Sequence, residues 1–368
     1  MTRLHDLFTT GGQSPWIDNL TRGGIRDGEL AALVARGIRG VTSNPTIFQK
    51  AMSAGDAYDE QFARLLDDRS VEDAYWEMVV ADISAALDVL RPVYDTSGGA
   101  DGFVSVEVSP ALAADTAATV AAARELHERI AQPNLMVKIP GTRAGLPAIR
   151  ALLAQGLNVN VTLLFGLARY RAVVEAFLAA LEDRRASGRP LDAVASVASF
   201  FLSRIDTLVD GRLERDGRPG AAALRGRAAI ACARLAYFYY KEWTAGPRWR
   251  ALAAAGARTQ RLLWASTSTK NPAYDDVKYV EALIGADTVT TLPLETVRAY
   301  RDHGDPAARL QDDLAAARAL PEQLAALGID LEAVSGELER QGVRKFVEPY
   351  DRTLAAFAPR ARHAGPEG

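Results

Sequence analysis

Leu157-Asn158-Val159-Asn160-Val161-Thr162-Leu163 alternates strictly between apolar and polar side chains, the period of a β-strand. Its valines suit an interface with covering helices, which turns Asn158, Asn160 and Thr162 to the opposite face. Seven further short apolar runs lie outward from this one: 16–20, 40–44, 103–108 and 135–139 before it, then 194–200, 261–266 and 287–291 after it. Helical patterns separate them. One covers 28–36 with Asp27 as its N-cap, two or three more cover 48–90, and others fall at 114–130, 146–155 and across 205–254. Eight strands alternating with helices predict an α/β protein, a single (β/α)8 TIM barrel with extra helices in its connections and at its C-terminus. One elaborated barrel domain is expected over 1–356, with 357–368 as a flexible tail. In a closed barrel the polar face of the quoted strand points inward, where such groups need partners from each other or from a ligand.

Composition narrows the function. The 368 residues carry a formal charge of −3, so no basic face for nucleic acid is expected. With 48% hydrophobic and 24% charged residues, the chain reads as an ordinary globular protein. No run reaches the ~18 apolar residues of a membrane span, and the first residues show no secretory pattern, so a cytoplasmic protein without a membrane partner is expected. Cys232 is the only cysteine, which leaves no intramolecular disulfide and no thiolate metal cluster. The four histidines, His5, His127, His303 and His363, do not fall at metal-ligand spacing, and neither a metal nor another cofactor is expected.

Only six lysines stand against 37 arginines, so a lysine inside an apolar strand is conspicuous. Lys138 is such a residue, in Leu135-Met136-Val137-Lys138-Ile139-Pro140. Facing inward, its ammonium would be poorly solvated, and desolvation lowers an ammonium pKa. A neutral amine is a nucleophile that forms an imine with a carbonyl substrate. The competing reading is a lysine that snorkels or pairs with a carboxylate, for which Glu107 on the neighbouring strand is available. Asp18, Asn44, Glu107, Lys138, Thr162 and Ser199 all fall near the C-terminal ends of successive strands, where barrels of this kind build active sites. Two carboxylates beside an amine are the equipment for carbon–carbon bond chemistry through an imine.

Six segments carry a family resemblance: Pro15-Trp16-Ile17-Asp18-Asn19-Leu20, Gly40-Val41-Thr42-Ser43-Asn44-Pro45-Thr46, Val104-Ser105-Val106-Glu107-Val108, Leu135 to Thr142, Leu157 to Phe165, and Trp264-Ala265-Ser266-Thr267. Together they resemble the transaldolases, in their longer bacterial form. The resemblance implies cofactor-free, reversible transfer of a dihydroxyacetone unit from a ketose phosphate to an aldose phosphate in the pentose phosphate pathway. By that resemblance Lys138 forms the imine and Asp18 handles the C4 hydroxyl proton. Glu107 shuttles protons through a water held with Thr162, and Asn44 and Asn160 bind hydroxyls of the retained fragment. Ser199 and Arg204 match the family's serine and arginine that anchor phosphate. Ser266, within the last motif, is a further substrate-binding candidate, and Lys270 stands near where shorter members carry an arginine. The family includes monomers and homodimers. Two alternatives stay open: a related imine-forming aldolase that cleaves fructose 6-phosphate, and a sugar-phosphate-binding barrel without catalysis.

Overall fold

The computed structural model describes residues 2–363. Eight parallel strands close a barrel in chain order: β1 Gln13–Ile17, β2 Val41–Thr42, β3 Val104–Glu107, β4 Leu135–Pro140, β5 Val159–Leu164, β6 Ser196–Phe201, β7 Gln260–Ala265 and β8 Thr288–Leu292. Helix α1 (Arg3–Thr9) precedes them, and α2 (Arg22–Arg26) and α3 (Glu29–Ala35) join β1 to β2. The long connection to β3 holds α4 (Pro45–Ser53), α5 (Asp59–Leu65) and α6 (Val71–Thr96). Single helices follow the next three strands: α7 (Thr116–Ile130), α8 (Gly145–Gln155) and α9 (Leu167–Ala186). The other long connection, between β6 and β7, holds α10 (Ser203–Asp216), α11 (Ala228–Thr244) and α12 (Pro247–Ala253). Then come α13 (Lys278–Ala282), α14 (Leu294–His303), α15 (Leu314–Ala326) and α16 (Leu331–His363).

Both faces of each strand are covered, so β3 to β6 are buried at every position. Val137, Ile139, Val159 and Val161 occupy the helix-facing parity, while Lys138 and Asn160 occupy the other. Register then does the assembly. Glu107 pairs across to Lys138, and Lys138 to Asn160, which sets three polar residues in one layer of the barrel wall. Lower in the interior, Trp16 is fully buried, and its indole nitrogen donates to Asp101 at 2.9 Å.

Several boundaries differ from expectation. The first strand runs 13–17 rather than 16–20, because Gln13 and Ser14 find acceptors for their side-chain donors inside: Gln13 donates to the Leu283 carbonyl at 2.7 Å, and Ser14 to Asp101 at 2.5 Å. Asp27 is not the N-cap of the next helix. It closes α2, and Gly28, in the left-handed region at φ 78°, precedes α3. The second strand shrinks to two residues, since Asn44 leaves the sheet to cap α4: its Oδ1 accepts from the Ile47 amide at 3.0 Å, with Pro45 opening the helix. Helix α16 continues to His363, and residues 364–368 of the expected tail lie outside the described residues. Cys232 is buried in α11, where desolvation pushes its thiol up to about 12. Among the described residues no helix is long and apolar enough to cross a membrane.

Candidate active site

A cleft of about 500 Å³ opens at the C-terminal end of the barrel. Of the ten residues singled out from the sequence, eight line it: Asp18, Asn44, Lys138, Thr162, Ser199, Arg204, Ser266 and Lys270. The other two stand just behind. Glu107 is packed beside Lys138, and Asn160, fully buried, holds Ser199 in place by accepting its hydroxyl at 2.7 Å while donating to Ser105 at 3.0 Å.

Lys138 is only 4% exposed. Its Nζ lies 3.3 Å from Glu107 Oε2 and donates to the Ser43 carbonyl at 3.0 Å. The Glu107 contact is an ion pair without hydrogen-bond alignment, so both carboxylate oxygens keep unfilled acceptor positions. The Thr162 hydroxyl oxygen is likewise buried without a protein partner. Burial holds the Glu107 carboxyl above its usual range, against the pull of the Lys138 charge. That combination, a carboxyl costly to ionise beside an amine, suits a group that passes protons back and forth. Asp18 follows β1 directly and accepts from the Thr42 hydroxyl at 2.7 Å. Desolvation raises it too, opposed first by Lys138 and then by the Thr42 hydrogen bond.

Arg204 sits in the first turn of α10. Burial disfavours its charge, the Asp18 and Glu107 carboxylates support it, and its Nη1 is buried without a hydrogen-bond partner. Its guanidinium carbon stands 5.4 Å from the Phe201 ring centroid. The base of α10 is held by Asp206, which accepts from the Ala229 amide at 2.7 Å and from Tyr279 at 2.9 Å and pairs with Lys278 at 3.3 Å. The end of β7 is tied to the same turn by a 2.8 Å contact between the Ser203 and Ser266 hydroxyls. Lys270 donates to Ser268 at 2.6 Å on the cleft's rim. A guanidinium with an open donor, hydroxyls and an ammonium at one end make a site for an oxyanion such as phosphate.

Sequence reasoning did not find Thr42, the Ser43 carbonyl, Lys50, Glu295 or Phe346. Thr42 and Ser43 were visible inside the Thr-Ser-Asn-Pro segment. Phe346 carried no local signal, since it comes from α16 and arrives by tertiary packing. Away from the cleft, Asp275, Asp276 and His303 meet at the surface, where His303 Nε2 pairs with Asp276 at 2.8 Å.

A (β/α)8 barrel whose mouth combines a buried lysine, two desolvated carboxylates and an anion-binding arginine has the make-up of an imine-forming enzyme of carbon–carbon bond chemistry. The chain belongs to the transaldolase/fructose-6-phosphate aldolase family, whose model matches residues 15–357. Its relatives include a transaldolase of Parafrankia sp. (strain EAN1pec), 51% identical over 355 residues that cover 95% of this chain and 96% of that protein. Transaldolases of Thermobifida fusca (50% identical, 95% and 96% covered) and Thiobacillus denitrificans (48% identical, 94% and 96% covered) match comparably. An enzyme of the transaldolase type follows from this membership.

Proposed function

We propose that the enzyme moves a dihydroxyacetone unit from fructose 6-phosphate or sedoheptulose 7-phosphate to glyceraldehyde 3-phosphate or erythrose 4-phosphate, through an imine on Lys138. The observation that carries this reading is Lys138 itself, buried in the barrel wall with Glu107 at 3.3 Å and open to a cleft shared with Asp18 and Arg204. In this reading Lys138 attacks the ketose C2 carbonyl, and Glu107, with a water held by Thr162, carries the protons that let the carbinolamine lose water. Asp18 takes the C4 hydroxyl proton as the C3–C4 bond breaks, and returns it when the retained fragment attacks the second aldehyde. Asn44 and Asn160 serve the hydroxyls of that fragment. Arg204, Ser199, Ser266 and Lys270 hold the phosphate. The same reading makes the enzyme cytoplasmic and a monomer or homodimer.

Borohydride reduction in the presence of fructose 6-phosphate tests the reading. A reduced three-carbon adduct on Lys138, located by mass spectrometry and absent from Lys138→Ala, is the expected result. Folded wild-type protein that yields no adduct would overturn it. Release of dihydroxyacetone as fast without an aldose acceptor as with one would favour the plain aldolase.

A further inference from the structure

We propose that Phe346, which no part of the mechanism above uses, decides whether the three-carbon fragment is transferred or released; the inference rests on the imine reading just given. Helix α16 reaches the barrel mouth from outside the βα repeat. Ion pairs from Glu339 to Arg169 (2.9 Å) and from Glu337 to Arg212 (2.5 Å) hold it to α9 and α10, and Tyr350 donates to Glu72 of α6 at 2.5 Å. Gly342 lets it descend onto β5: a Cβ there would stand 2.9 Å from Leu163 Cδ2. One turn further along the same helix face, Phe346 enters the cleft, 3% exposed. Its ring centroid lies 5.9 Å from Lys138 Nζ and 5.9 Å from Arg204 Cζ.

That position is equidistant from the two ends of a bound ketose phosphate, imine at Lys138 and phosphate at Arg204, so the ring flanks the carbons between them. When the C3–C4 bond breaks, its electron pair moves into the enamine whose sink is the imine nitrogen, the C4 hydroxyl proton goes to Asp18, and the aldose phosphate leaves. The nucleophilic C3 then has two fates. It attacks an incoming aldehyde, forming a new C–C bond while Asp18 returns its proton. Alternatively it takes a proton from water, after which water hydrolyses the imine and frees dihydroxyacetone and Lys138. Only the second fate needs water at C3. A rigid apolar ring there excludes water from the nucleophilic carbon, which slows the second fate and leaves the first open.

Two rates measured on Phe346→Ala and Phe346→Leu test this: sedoheptulose 7-phosphate formed from fructose 6-phosphate with erythrose 4-phosphate, and dihydroxyacetone released from fructose 6-phosphate alone. The transfer-to-release ratio is expected to fall about tenfold or more in the alanine variant and about threefold in the leucine variant, with the Lys138 adduct still trapped by borohydride. Loss of both rates in parallel, the ratio unchanged, would overturn the role of Phe346 and leave the imine reading intact. If Phe346→Ala does not fold, a wild-type ratio in Phe346→Leu overturns it equally. A wild-type protein that neither transfers nor forms the adduct removes the imine reading, and this inference with it.

Discussion

Asp18 pays for its place in the cleft, because desolvation outweighs the help from Lys138 and Thr42 and leaves its pKa raised. The sign of the consequence is fixed by linkage. A carboxyl whose folded pKa exceeds its unfolded one takes up protons on folding, so stability falls as pH rises through the window between the two values. Asp18→Asn removes that term. Its stability relative to wild type, from urea unfolding at several pH values, is expected to be flat below the ordinary aspartate range and to grow in favour of the variant above it. A difference that stays flat, or runs the other way, would contradict the raised pKa. Single residues were also where the sequence was most legible. Lys138 stood out because an ammonium in an apolar strand violates burial rules, and Asn160 and Thr162 because strand parity turned polar groups inward. Phe346 broke no rule, so nothing local marked it.

All eight strands were legible as elements, since a strand covered by helices on one face and by the barrel interior on the other leaves a short β-branched run between helical patterns. Their ends were not. β1 was placed three residues late because Gln13 and Ser14 resemble loop residues until the barrel supplies partners for them. The reading that starts a helix at Asp27 leaves out α2, which Thr21 caps by accepting from the Gly24 amide at 3.1 Å and which Asp27 closes. At the start of β2, Gly40 meets Trp16 so closely that a Cβ there would stand 2.5 Å from the indole carbons. Gly40→Ala is therefore expected to cost about 1–3 kcal/mol through overpacking of a fully buried ring, read as a lower urea midpoint at unchanged slope. Shortening the ring in a Gly40→Ala/Trp16→Leu double variant should make the two losses clearly non-additive, and simple additivity would mean that the contact is not the cause.

At the scale of the molecule, the barrel supplies the chemistry and α16 supplies one wall of the cleft. The two are joined by polar ties such as Arg169–Glu339 and Arg212–Glu337, together with aromatic contacts such as Phe357 on Phe62 at 4.2 Å. A Glu337→Gln/Glu339→Gln double variant is expected to speed amide hydrogen exchange in the part of α16 around 331–350 while β4, β5 and β6 keep their protection. Uniform acceleration throughout the chain would show that α16 and barrel open as one unit.

The position of α16 in the chain also sets an order of events during synthesis. The helix leaves the ribosome after every strand of the barrel, so the strand that carries Lys138 is made well before Phe346. On the role proposed for Phe346, the residue that guards the reactive fragment is therefore made after the lysine that holds it.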